Sequence, residues 1–419
     1  MSKGNIQTLL RILANSNPRS WILAGFLIVY ISFFVYPIFF STQTMQFPDY
    51  IPVMKIIGGD LDQILGYSKP WALLKDSPYV GENPYPPFVA MFFAPFLLLP
   101  FSWAYRIIVL LSLTTFILGI YFLTAKFKEN SSFATVFFFI VFTGLFSYGL
   151  QFELERGQFN LIAMVFCFAA VWIYHFHHKL RYLAYILFTI SVQLKLYPLI
   201  FIVMFVSDWK DWKKNIKNMI LISVMNFAAL FILGPKIFID FWMAIRRFSV
   251  SPSVMANHSV RAFVHMLADV SAEIGRMWVR EYSQLIQLLF LVVIFSCIVM
   301  VVLQAYWTPK KNINASLFLA CALGASLIPS VSHDYKLPIL AAPIAAFLLE
   351  LFSRSEKEEN NLSRLHLFVL IFIISIVYSA TLFSYTNKPG PFLGSNFLPL
   401  LVMLLVTTYY SMLPVEDSM

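Results

Sequence analysis

The chain has 419 residues, 59% of them hydrophobic and 12% charged, with a mean hydropathy of +0.75. Soluble domains carry about 25% charged residues, so this composition excludes a soluble globular protein and indicates an integral membrane protein. The formal net charge of +9 does not imply nucleic acid, because much of the basic excess sits in short clusters beside apolar runs, the positive-inside pattern.

In chain order, the first charge-free run covers residues 21–40, about the 20 residues that a membrane span needs. No small-residue cleavage site follows it, so it reads as a span rather than a cleaved signal. A long first loop, residues 41–100, carries Asp49, Asp60, Asp62 and Tyr85-Pro86-Pro87. Runs 86–105 and 107–125 are parted only by Arg106, and runs 131–152 and 157–174 flank Glu153-Leu154-Glu155-Arg156. Run 182–207 is interrupted by Lys195 and Pro198, and run 218–235 precedes a second long loop, residues 236–281. Runs 282–309, 312–332, 337–349, 365–387 and 389–415 complete the chain. The pattern predicts an all-α polytopic membrane protein of about 10–13 transmembrane or re-entrant helices. No polar linker divides it, so residues 1–419 form one domain. Cys167, Cys297 and Cys321 lie inside apolar runs without metal or disulfide spacing and read as small buried hydrophobes.

The Lys/Arg bias of short loops sets the orientation. Lys3, Arg11 and Arg19 mark the N-terminus as cytoplasmic, as do residues 208–217, Lys310-Lys311 and residues 354–364 for their loops. The two long loops and Ser332-His333-Asp334-Tyr335-Lys336 then face outward. If Lys126, Lys128, Lys179 and Arg181 are also cytoplasmic, residues 86–99 do not cross but form a surface or re-entrant helix. Run 182–207 then enters and returns, hinged near Lys195-Leu196-Tyr197-Pro198, as backbone lining a protein cavity is able to do.

Several residues carry chemistry. Asp49, next to Pro48 in the first loop, is a candidate general base, since partial desolvation raises a carboxylate toward neutrality. Asp60-Leu61-Asp62 fits a turn after Gly58-Gly59 and equally offers two carboxylates to a divalent cation. Gln158 and Asn160 enter an apolar helix, where amides need partners, either sugar hydroxyls or neighbouring helices. Lys195 is the most costly residue of the chain: a lysine at mid-bilayer costs at least about 2.5 kcal/mol, and such residues are functional by default. Arg261, after Asn257-His258-Ser259-Val260, offers a bidentate phosphate grip. His333 and Lys336 are able to face the same phosphate. His175, His177 and His178 adjoin Lys179 and Arg181 and read as a cytoplasmic rim.

In order and spacing, Asp49, Tyr85-Pro86-Pro87, Gly157-Gln158-Phe159-Asn160, Lys195-Leu196-Tyr197-Pro198, Asn257-His258-Ser259-Val260 and Ser332-His333-Asp334-Tyr335 together resemble glycosyltransferase family 87, of the GT-C superfamily. The resemblance implies a GT-C-type fold with a long first extracytoplasmic loop. It implies a catalytic base at Asp49, donor-phosphate contacts at Lys195, Arg261, His333 and Lys336, and sugar or acceptor contacts at Tyr85, Glu155, Gln158, Asn160, Asn257 and His258. His258 stands where the family usually has glutamine. The implied reaction is an inverting transfer of a hexose, mannose in most members, from a polyprenyl-phosphate donor to a lipid or glycan acceptor. It takes place at the outer face of a cell membrane, a bacterial inner membrane by family. The partners are the donor, the acceptor and membrane lipids, with no nucleic acid. No metal is required, with Asp60 and Asp62 as the alternative cation site. A flippase for lipid-linked sugars is the rival function, because it too needs outward basic residues and broken helices.

Overall fold

The computed structural model describes Trp21, Ala24, Gly25 and Leu27 together with residues 57–413, except 75, 80–82, 126–131, 207, 248–255, 309–312, 359–360 and 379–394. Most of the first apolar run, and Asp49 with it, lies outside the described residues.

Helix α1 (Gly59–Leu74) begins where the sequence allowed a turn. Asp60 and Asp62 occupy its first turn, where negative side chains complement the exposed N–H groups. Helix α2 (Pro87–Phe93) starts on a proline, whose missing N–H costs nothing in a first turn, and runs into a 3-10 segment, Ala94–Leu98. At 1.5 Å per residue Pro87–Leu98 is about 18 Å long, short of the roughly 30 Å hydrocarbon layer, a length that fits a surface or re-entrant helix. Helix α3 (Phe101–Thr124) passes through Arg106 without interruption. The boundary expected at Arg106 therefore lies at Pro100, the N-cap of α3. Arg106 lays its guanidinium over the Trp103 ring at 5.3 Å, which shields the charge inside an apolar stretch.

The run expected over residues 131–152 divides into α4 (Phe133–Leu145) and α5 (Tyr148–Arg156), bent by 52°. Ser147 sits at the bend and caps α5, its Oγ accepting from the Leu150 N–H at 3.2 Å. Helices α6 (Asn160–Phe176) and α7 (Arg181–Leu194) pack against each other over their length. Helix α7 stops because Lys195 turns extended, with φ −146° and ψ 132°. Were the helix to continue, the Pro198 ring would meet the Leu194 carbonyl. A 3-10 segment, Tyr197–Met204, follows. Its first residue bonds Asn160 at the start of α6, and the Met204 carbonyl meets the His175 ring at 2.8 Å near the end of α6. The chain thus turns back at Lys195 toward the end of the bundle where α7 began.

The remainder comprises α8 (Trp212–Ala229), α9 (Pro235–Arg247), α10 (Val260–Glu273), α11 (Ser283–Trp307) and α12 (Ala315–Leu327). A 3-10 segment, Asp334–Leu340, then leads into α13 (Ala341–Glu358), followed by α14 (Asn361–Tyr378) and α15 (Phe397–Met412). Helices α9 and α10 belong to the second long loop. Every residue of α12 is buried, which makes it the central helix, as an all-round apolar helix must be. Among the described residues 3 helices are long and apolar enough to cross a membrane, or up to 4 if the α4–α5 pair counts as one span. Shorter apolar helices, α6, α12 and α15 among them, account for much of the rest. Breaks at Pro100, Ser147 and Lys195 explain why fewer long crossings form than unbroken runs would give. The protein is an all-α polytopic membrane protein.

Candidate active site

Helix α5 ends in a left-handed turn at Gly157, with φ 65° and ψ 36°. The Gly157 and Gln158 N–H groups close it on the Leu154 and Glu153 carbonyls, both at 3.0 Å, a glycine-dependent helix stop. A Cβ at Gly157 would lie 2.9 Å from the Leu61 Cβ, so glycine also permits close approach to α1. Gly58 tightens the same junction, its N–H donating to the Glu155 carbonyl at 2.7 Å. Tyr105 of α3 adds a bond from its hydroxyl to the Leu154 carbonyl at 2.9 Å.

This junction sets Gln158 between two charges. Its Nε2 donates to Asp60 Oδ2 at 2.5 Å, and its Oε1 accepts from Lys195 Nζ at 3.0 Å. Arg156 stands 3.6 Å from the other Asp60 oxygen and 3.2 Å from Glu155. Lys195 is 8% exposed, and its ammonium also lies over the Phe159 and Tyr85 rings, at 4.1 and 4.6 Å. Of the two loop carboxylates, Asp60 is half-buried in this cluster, whereas Asp62 is exposed. Residues two apart on a helix do not share a face, so α1 does not aim both carboxylates at one cation.

A second ammonium stands nearby. Lys336 donates to the Val331 carbonyl at 2.9 Å, lies 4.8 Å from the Tyr197 ring centre, and is within electrostatic reach of Lys195. The Tyr197 hydroxyl donates to Asn160 Oδ1 at 3.2 Å. Glu153 is fully buried and coupled electrostatically to Lys195. One of its oxygens accepts from the Leu161 N–H at 3.0 Å and thereby caps α6, while the other, like Asn160 Nδ2, has no hydrogen-bond partner among the described residues.

Asn257 and His258 join the second long loop to the turn before Asp334–Leu340. Asn257 Oδ1 accepts from the Ser259 and Ser332 N–H groups, at 3.1 and 3.0 Å. The buried His258 ring lies between Asp334 Oδ1, 2.9 Å from Nδ1, and Ser332 Oγ, 3.1 Å from Nε2. Burial lowers the His258 imidazole below its usual range despite Asp334. The neutral ring then donates through Nδ1 and accepts from the serine hydroxyl. Both ring nitrogens are therefore engaged within the clamp rather than facing a substrate sugar. An antiparallel bridge pairs Asn257 with His333, and Gly149 lets α5 approach, since a Cβ there would sit 2.8 Å from the Asp334 carbonyl.

His333 stacks near Tyr335, with ring centres 5.2 Å apart. Burial first, and the Lys336 charge second, push its imidazole down to about 4. At neutral pH it offers hydrogen bonds and not the positive charge that the sequence suggested. Arg261 sits half-buried in the first turn of α10 beside His265. The structure thus gathers Tyr85, Glu155, Gln158, Asn160, Lys195, His333 and Lys336. It gives Asn257 and His258 to the loop clamp and places Arg261 at the start of α10.

Sequence reasoning missed Glu153, Tyr197 and the clamp partners Ser332 and Asp334, and it read Asp60 only as a turn or cation ligand. Glu153 had a legible signal, a carboxylate four residues before a helix-ending glycine and next to an apolar run. A search of curated proteins finds no match. The model of glycosyltransferase family 87 matches residues 83–330, more than half of the chain, including Tyr85, the α5–α6 junction and Lys195. The chain belongs to glycosyltransferase family 87, a family of membrane glycosyltransferases of the GT-C type.

Proposed function

We propose that the protein transfers a hexose, mannose as the first candidate, from a polyprenyl-phosphate donor to a lipid or glycan acceptor at the extracytoplasmic face. The observation that carries this reading is the pair of buried ammonium groups, Lys195 and Lys336, which lie within electrostatic reach of each other and repel. Two like charges in a dry site are costly, and a phosphodiester between them offsets the cost. Among the described residues each lysine has a single hydrogen-bond acceptor, Gln158 Oε1 or the Val331 carbonyl, so donors remain for phosphate oxygens. A donor with a lipid tail also accounts for a site built at helix breaks in a membrane bundle.

In the proposed reaction the acceptor oxygen attacks the anomeric carbon from the face opposite the phosphate, which inverts that centre. The anomeric C–O bond breaks, and its electron pair leaves with the lipid phosphate. Lys195 and Lys336 stabilise the charge that develops there, and His333 supplies a neutral hydrogen bond. The acceptor proton passes to a carboxylate. Among the described first-loop carboxylates Asp60 is the candidate for this step, because Arg156 pairs with it and Gln158 holds it beside Lys195; Asp49, outside the described residues, is the base that the family resemblance implies. Membership of a glycosyltransferase family favours transfer over the flippase reading. The basic rim at the opposite end, Lys179, Arg181, Lys210, Lys213 and Lys214, supports an outward-facing site.

The test uses purified protein, radiolabelled polyprenyl-phosphate mannose and an octyl glycoside acceptor. Asp60→Asn should lower turnover about 10³-fold, within the range of a lost general base, while Asp49→Asn stays near wild type. The reverse pattern assigns the base to Asp49. A wild-type protein that moves the donor between leaflets but forms no glycosidic bond would refute the transferase reading.

A further inference from the structure

Gln158 is a neutral group that bonds to both halves of the proposed chemistry, Asp60 and Lys195. Its amide orientation is fixed by its partners: an ammonium only donates and an ionised carboxylate only accepts, so Oε1 must face Lys195 and Nε2 must face Asp60. Each end of the amide is thus anchored on a charged group, the Tyr85 side chain bonds it as well, and Oε1 keeps a second lone pair. The residue cannot easily shift, because Gly157 closes the helix end one position before it and Phe159, one position after it, lies under the Lys195 ammonium.

We propose that Gln158 is the positioning residue that ties the base to the phosphate grip, holding Asp60 and Lys195 in one register so that an acceptor hydroxyl at the carboxylate faces the anomeric carbon of a donor whose phosphate is on the ammonium. This rests on the reading of Asp60 as base and of Lys195 as phosphate ligand. Hydrogen bonds to ionised partners are about twice as strong as neutral ones, and an amide that bridges two of them resists changes in their separation. Misplacing reacting atoms by about 1 Å costs roughly 10²-fold in rate. Glutamine suits the position because glutamate would repel Asp60, leucine would bridge neither group, and asparagine would fall one methylene short.

The charged and titratable groups around Asp60 are Arg156 and Glu155 from the end of α5, Tyr85 from the first loop, Lys195 from the helix break, and His333 and Tyr335 from the turn before α13. Of these, Arg156 lies within ion-pair distance. A second carboxylate at Gln158 would sit closer to Asp60 than Arg156 does, and two adjoining carboxylates do not both ionise freely.

The experiment compares Gln158→Glu, Gln158→Asn and Gln158→Leu with wild type in the assay above, across pH, and adds direct binding of polyprenyl phosphate. Gln158→Glu should move the acid limb of kcat/KM upward by about one pH unit or more and, by setting a carboxylate against the Lys195 ammonium, raise the donor KM. Gln158→Asn and Gln158→Leu should raise the donor KM and weaken polyprenyl phosphate binding about tenfold each, with kcat lowered as well. A Gln158→Glu enzyme with an unmoved acid limb, or Asn and Leu variants with unchanged donor KM and phosphate binding, would overturn the proposal. Size-exclusion profiles and tryptophan fluorescence screen for misfolding, and Gln158→Asn keeps the amide if Gln158→Leu does not fold. Full turnover by Asp60→Asn would instead defeat the base assignment, whereas the phosphate-binding result reports on the bridge alone.

Discussion

Replacing Lys195 with methionine separates what the residue does for the reaction from what it does for the fold. The substitution keeps the length and the apolar stem and removes only the ammonium. On the reaction side it deletes one of two cations that face the leaving phosphate. Removing a preorganised donor aimed at developing charge costs about 3–4 kcal/mol, or roughly 10²–10³ in rate. On the fold side the terms oppose one another. Relief of a buried lysine returns at least about 2.5 kcal/mol, and relief of its repulsion with Lys336 adds to that. Against this, Gln158 Oε1 loses its donor, at about 1–3 kcal/mol, and the contacts over Tyr85 and Phe159 are lost, at about 0.5–2 kcal/mol. Glu153 and Asp60 also lose their attraction to the ammonium, so the terms offset only in part, and the melting temperature in detergent should fall by several degrees while a cooperative unfolding transition remains. The assay pairs radiolabelled sugar transfer with tryptophan-detected thermal unfolding of the same preparation. Turnover within about threefold of wild type would refute the phosphate role. A drop in activity matched by collapse of the fold would refute the separation of the two roles.

Other substitutions probe the supports of the site. Gly157→Ala places a side chain at φ 65° and 2.9 Å from Leu61 Cβ; it should cost about 1–3 kcal/mol of stability, read as a lower unfolding temperature, and reduce transfer by displacing Gln158. Gly149→Val should push α5 away from the Asp334 carbonyl and lower activity without touching a reacting group, read as a raised donor KM. Acid should destabilise the clamp. His258 and His333 are both lowered by burial, so the unfolded chain binds more protons as pH falls below about 6.5, and stability is lost from there downward, toward about 4 for His333. Thermal unfolding measured from pH 7 to 4.5 should show this slope, and His258→Gln should flatten it.

Much of the architecture was legible because apolar runs are long and charges inside them are expensive. The turn-back at Lys195 followed from two residues, a lysine that lipid penalises and a proline that cannot follow the Leu194 carbonyl in a helix. A short helix here agrees with the bias of Lys126 and Lys128, Pro87–Leu98 being one of the shorter apolar helices. What escaped was three-dimensional. A capping role for Glu153 depends on the Leu161 N–H eight positions on, and the partnership of His258 with Asp334 spans 76 positions. Arg106 misled for the opposite reason: a charge in an apolar run looks like a boundary unless a neighbour such as Trp103 covers it. Asp60 was undervalued because Gly58-Gly59 made a turn a sufficient explanation, and only its contact with Gln158 gives it chemistry.

The cluster as a whole is not arranged for stability. Asp60, Glu153, Glu155, Arg156, Lys195, Lys336 and Asp334 crowd one end of a bundle that, among the described residues, buries no other Asp, Glu, Lys or Arg. Well-packed apolar residues in the same volume would hold the helices at least as well. The fold instead places rigid devices around these charges: the left-handed turn at Gly157, the Asn257–His333 bridge and the His258–Asp334 contact. Charges held apart from their ideal partners by fixed backbone stabilise a charge that arrives later, because nothing need reorganise when it appears. A lipid-linked phosphodiester brings one negative charge to the site and leaves carrying more, and the two lysines are the groups whose mutual repulsion falls as that charge grows. Substituting either lysine alone should therefore weaken binding of the product polyprenyl phosphate more than that of the donor, a difference that a neutral sugar-binding pocket would not produce.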